Sequence, residues 1–245
     1  MTLDRSADYL AVYRFPEWEE APDFTTFSSL LQITTKYEMP TIRSRLLEVV
    51  RRAYPQNFEG LTPSKPLGER IFSGPTPHPN EVLNLFVQQE LISALPMAYY
   101  MAAQKGLDSL MDRRLPLNAT LPLEILQAAI RGLMALREVE LNETRYLIFG
   151  PGGSHPHSAL NCPSLTPTGP AALVAYQGVF DHIVGSSQSG TKLLQIPEFY
   201  KECGGDLWCV GPGICSSCVE RWEHGHAVLR KKVWAMLPGL FGLKD

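Results

Sequence analysis

The 245 residues contain no apolar run approaching the ~20 that a membrane-spanning helix requires. The most apolar window, residues 91–103, has Pro96 inside it. No membrane crossing is expected. Charge of either sign is also sparse: 22 Lys and Arg against 25 Asp and Glu leave a formal net charge of -3. So weak a field does not draw a polyanion, and nucleic acid is not an expected partner. The clusters Arg51-Arg52 and Arg230-Lys231-Lys232 are short and lie among apolar residues at helical spacing, as on a solvated helix face.

Catalytic signatures are missing as well. No Gly-x-Ser-x-Gly elbow, no Gly-x-Gly-x-x-Gly after a strand and no His-Glu-x-x-His occurs. Residues 185–192, GSSQSGTK, have the glycines of a phosphate loop in the wrong order: Thr191 precedes Lys192, and the preceding segment reads as a helix rather than a strand. Glu17, Glu19 and Glu20 cluster around Trp18 in a Pro-flanked stretch, as solvated loop carboxylates do. No enzymatic activity is expected. Residues 1–10 carry Asp4, Arg5 and Asp8 without an apolar core, so they do not read as a secretory signal, and a cytoplasmic or nuclear location is expected. In such a compartment the five cysteines would be reduced.

With 44% hydrophobic residues the chain has ample material for a core. Its periodicity is helical. Phe27, Leu30, Leu31, Thr34 and Tyr37 form one face of a short helix started by Asp23 and ended by Pro40. A second helix begins at Thr41 with Ile42, Leu46, Val49, Val50 and Tyr54 on its inner face and Arg43, Arg45, Glu48, Arg51 and Arg52 outside. Pro and Gly then dominate residues 56–79, an irregular connector. Helical pattern resumes at Val82, Leu83 and Phe86, again over residues 97–105 with Gly106 in the capping position, and most clearly over residues 121–143 with Leu126, Ala129, Ile130 and Leu133 inward. Residues 146–149 are the best candidate for a short strand.

Residues 150–170 are too rich in Gly and Pro to be helical, residues 171–184 carry Leu173, Tyr176, Phe180 and Val184 on one helical stripe, and residues 215–237 form a last helix. The segments are therefore 1–60, 61–149, 150–192 and 193–245, and the fold class is mainly α.

Cys203, Cys209, Cys215 and Cys218 precede His224 and His226, with Cys162 upstream. Cys215 and Cys218 lie one helical turn apart and could hold zinc with two further ligands from Cys203, Cys209, Cys162 or His224. The competing reading is packed thiols, since one Cys-x2-Cys without a second pair is an incomplete zinc spacing and both residues fall on the apolar stripe. Zinc is thus one of two open readings, and with it a zinc-dependent regulatory or nucleic-acid-binding role for the last helix.

Residues 30–55, LLQITTKYEMPTIRSRLLEVVRRAYP, resemble the last two helices of the BTB/POZ domain of mushroom-forming fungi, chiefly through Lys36-Tyr37-Glu38-Met39 and Arg52-Ala53-Tyr54-Pro55. Residues 9–13 are similar to the end of the preceding helix, and residues 95–100 to the Leu-Pro-x-Ala-x-Tyr pattern of the helical, BACK-like region that follows. Cys215-x2-Cys218 through Trp234 and Phe241-Gly242-Leu243 is similar to the family's ending. The strands and first helices that open a BTB domain and form its homodimer surface have no counterpart. The resemblance implies a protein-interaction scaffold or adaptor, in some members serving a cullin-type ubiquitin ligase. Partners would then be a BTB protein or a cullin-type scaffold, met by Tyr37, Leu46, Val49, Tyr54 and Phe58.

Overall fold

In the computed structural model the described residues are 22–60, 72–112, 114–149 and 216–243; they are mainly helical, with no strand among them. The expectations placed on residues 150–215, including the helix at 171–184 and the loop at 185–192, lie outside them. The chain divides into two compact units, Met1–Ala53 with Gly68–Pro77, and Tyr54–Leu67 with His78–Asp245.

The first unit is built on a helical hairpin, α1 (Phe24–Lys36) and α2 (Pro40–Ala53). Asp23 starts α1 as the sequence suggests: its Oδ1 accepts from the Thr26 N–H at 3.0 Å, and the Thr26 hydroxyl donates to Oδ2 at 2.7 Å. These bonds hold the Asp23 carboxyl below its usual range, the Thr26 hydroxyl contributing most. Phe27, Leu31 and Thr34 of α1 are buried, as are Leu46, Val50 and Ala53 of α2. Thr34 satisfies its buried hydroxyl by donating to the Leu31 carbonyl at 3.0 Å. Phe72 joins this core with its ring 5.2 Å from Phe24 and 5.1 Å from Phe27, which is how a stretch distant in sequence belongs to the hairpin.

The turn between the helices differs from the expected Thr41 cap. Pro40 is itself the first residue of α2, where its missing N–H is no loss and its fixed φ already suits the helix. α1 closes with Met39 N–H donating to the Thr34 carbonyl at 2.9 Å, a six-to-one bond across Glu38 at φ 52°. The same closure ends α3 (Pro79–Gln88): Leu91 N–H donates to the Phe86 carbonyl at 2.9 Å across Glu90 at φ 54°. Glycine is the residue that occupies this left-handed position without strain. Glu38→Gly and Glu90→Gly should therefore each raise stability, by about 0.5–1 kcal/mol in urea unfolding, since the strain relieved exceeds the entropy added to the unfolded chain. Unchanged or lower midpoints would show that the Glu side chains compensate.

The second unit is organised about α4 (Leu95–Gln104), which touches α3, α5 (Gly106–Leu110), α6 (Leu123–Phe149) and α7 (Ser216–Leu240). Leu95, Met97, Ala98, Tyr99, Tyr100, Ala102 and Ala103 are all buried, so α4 is apolar nearly all round, as a central helix must be. Pro96 does not interrupt it. A 3-10 turn at Ile92–Ala94 runs into α4, and Pro96 stands in its first turn. Gly106, at φ 80°, ends α4 in the capping role its sequence position suggests.

Residues 146–149, the strand candidate, continue α6 instead. Four apolar residues fit a helix turn as well as a strand by pattern, and helix already in progress decides between them. Segments separated by composition meet here: α6 and α7 pack together, with the Lys232 ammonium donating to the Glu143 carboxylate across them. Leu229, Val233, Leu237 and Phe241 form the buried stripe of α7 and its end. The Phe241 ring stacks on Tyr99 at 5.0 Å and lies against the backbone of Gly132 in α6. No described helix is long and apolar enough to cross a membrane.

Candidate functional site

Helical periodicity puts most large apolar side chains of the hairpin inward, and three remain outside. Ile33 is 45% exposed in the last turn of α1, Tyr37 is 62% exposed at its C-cap, and Met39 is 41% exposed in the turn. Ile33 and Tyr37 are four residues apart and so share one edge of the helix. The Lys36 ammonium lies 5.4 Å from the centre of the Tyr37 ring. An aromatic, two aliphatic side chains and a cation within seven residues make a small apolar patch at the hairpin tip, the kind of surface a partner protein covers. Exposed Leu123, Met134 and Leu141 also lie on α6, but they are spread along ~27 Å of helix and do not make one patch.

The five candidate contact residues separate on this structure. Tyr37 is at the tip, and Val49 and Phe58 are half-buried. Leu46 is fully buried in the hairpin core and Tyr54 is buried in the second unit, so both act in packing rather than at a free surface. The Tyr54 ring meets Phe86 edge-on at 4.7 Å, and burial pushes its phenol far above the ordinary tyrosine range. Phe58 faces the Trp234 ring at 6.5 Å and the Arg230 guanidinium at 5.6 Å. Arg230 corrects the reading of its basic run: it is only 4% exposed, while Lys231 and Lys232 face solvent. Burial draws its pKa down from the usual arginine value.

Of the zinc candidates, Cys203, Cys209, Cys215 and Cys162 lie outside the described residues, as does the side chain of Cys218 in α7. His224 is exposed. Among the described residues no three His, Cys, Asp or Glu side chains are grouped to hold a metal.

Among the described residues, the arrangement closest to catalytic machinery is one that sequence reading passed over. His78 caps α3: its Nδ1 accepts from the Asn80 N–H at 3.2 Å, and Glu81 Oε2 accepts from the His78 N–H at 3.2 Å. Its Nε2 lies 3.0 Å from Ser109 Oγ in α5. A Ser–His pair at that distance suggests a nucleophile and its base. The cap decides otherwise. Because a backbone N–H can only donate, Nδ1 must be the unprotonated nitrogen; a neutral ring then carries its proton on Nε2 and donates it to Ser109, so it cannot take the serine's proton. The signal available in sequence was His78-Pro79-x-Glu81, a polar residue, a helix-starting proline and a carboxylate at capping-box spacing.

The chain matches no protein-family model, no curated protein and no solved structure in the comparisons made.

Proposed function

We propose that this chain is a non-enzymatic, helical protein-interaction scaffold or adaptor of BTB/POZ type, with the tip of the α1–α2 hairpin as its docking surface. The observation that carries the reading is the exposed group Ile33, Tyr37 and Met39, held on a hairpin whose other large apolar side chains are buried or half-buried. Two of the three lie in Lys36-Tyr37-Glu38-Met39, the stretch on which the resemblance to the BTB/POZ helices chiefly rests. The partner class that resemblance suggests is a BTB protein or a cullin-type ubiquitin-ligase scaffold.

Because Leu46 and Tyr54 are core residues, a docking test belongs at the tip. The tagged chain and an Ile33→Asp, Tyr37→Asp version are captured from native cells and the retained proteins identified by mass spectrometry. The expected result is a defined partner, a cullin or a BTB protein, reduced at least tenfold in the variant while its Tm stays within a few degrees of the parent, as for surface changes. The same partners in the same amounts from both versions would remove the tip as the docking surface.

A further inference from the structure

Histidine is an unusual choice for a helix N-cap, because it can serve only while its ring is neutral. At the start of α3 the Nδ1 lone pair of His78 receives the Asn80 N–H, and the opposite nitrogen reaches Ser109 in α5. A second bond joins the same two helices, from Asn80 Nδ2 to the Ser109 carbonyl at 3.5 Å. We propose that His78 is a proton-sensitive latch: neutral, it caps α3 and ties it to α5; protonated, it releases the cap.

The chemistry of release is local. A proton on Nδ1 replaces the acceptor with a second donor aimed at the Asn80 N–H. It also places a positive charge at the positive end of the helix dipole. The facing charged groups come from three places: Glu81 on α3 itself and Asp112 after α5 favour the charged ring, while Lys105 between α4 and α5 opposes it. Asp112 is engaged by Arg114, whose side chain donates to both carboxylate oxygens at 2.9 Å. Burial outweighs the two carboxylates and sets the His78 pKa below the ordinary histidine value. The sign follows: the unfolded chain takes up the proton first as pH falls, so the cap's contribution is complete above about pH 6.5 and is lost progressively below it.

The experiment is a pH titration of the intact chain by NMR, reading the His78 ring nitrogens and hydrogen exchange at the Asn80 amide. The expected result is a proton on Nε2 at neutral pH, a ring titrating below the ordinary value, and Asn80 protection, corrected for intrinsic exchange, falling tenfold or more in step with it. His78→Asn supplies a cap that does not titrate. Between pH 7.5 and 5 the parent should lose roughly 2–4 °C more in Tm than this variant. A proton found on Nδ1 at neutral pH, or Asn80 protection that does not change as the ring titrates, would overturn the latch. Should His78→Asn fail to fold, the titration of the parent chain decides alone.

Discussion

Replacing Phe86 by alanine should destabilise the second unit by about 3–5 kcal/mol, the range for deleting a fully buried aromatic side chain. Phe86 is completely buried in α3, and its ring is the edge-on partner of Tyr54. The substitution therefore removes its own burial and opens a cavity beside a phenol that has no exposure to spare. Urea unfolding followed by far-UV circular dichroism would give the size of the loss. Tyr54 supplies an independent readout, since burial holds its phenol neutral well into the alkaline range. A tyrosine whose folded pKa is raised contributes stability that is whole below its unfolded value of about 10 and is lost as pH rises beyond it. Phe86→Ala loosens the packing that keeps the Tyr54 phenol from water, and an alkaline absorbance titration should show one more tyrosine ionising closer to its ordinary value. A loss below 1 kcal/mol with the titration unchanged would mean that Tyr54 is not held against Phe86.

Gly132→Ala should lower stability by about 1–3 kcal/mol, although alanine in an exposed helix interior would raise it by roughly 1 kcal/mol. The reversal comes from Phe241. A Cβ at Gly132 would overlap the Phe241 ring, which is itself stacked on Tyr99. The ring cannot move aside without giving up that stack and its own burial. A double-mutant cycle separates the two effects. In a Phe241→Ala background, itself about 3–5 kcal/mol less stable, Gly132→Ala should become neutral or stabilising, because only the helix propensity remains. If Gly132→Ala costs the same in both backgrounds, the clash is not its cause.

Both predictions depend on contacts that no local pattern announces, and the same division runs through the fold. The hairpin was legible: Asp23, Pro40 and the spacing Phe27, Leu31, Leu46, Val50 specify where the helices lie and which faces turn inward. The end of α1 was less so, because Glu38 in a left-handed conformation carries no signal of its own; the six-to-one bond to Thr34 imposes it. At the candidate surface, Leu46 and Tyr37 fall on related helical spacings in the sequence, yet one is wholly buried and the other mostly exposed. The patch at the tip could not be separated from the core until both helices were in place.

What the sequence by itself determined is the helical class, the start of α1 at Asp23 and much of the inward stripe of α1, α2 and α6, because capping and a period of 3.6 act within a few neighbouring residues. Tertiary structure decided the rest: that α4 is central, that Arg230 is buried beside exposed Lys231 and Lys232, that Gly132 leaves room for Phe241, and that His78 reaches Ser109 across 31 positions. The physical reason is that a helix carries more apolar and polar side chains than one neighbour can cover. Which of them are covered depends on elements that meet only when the chain has folded.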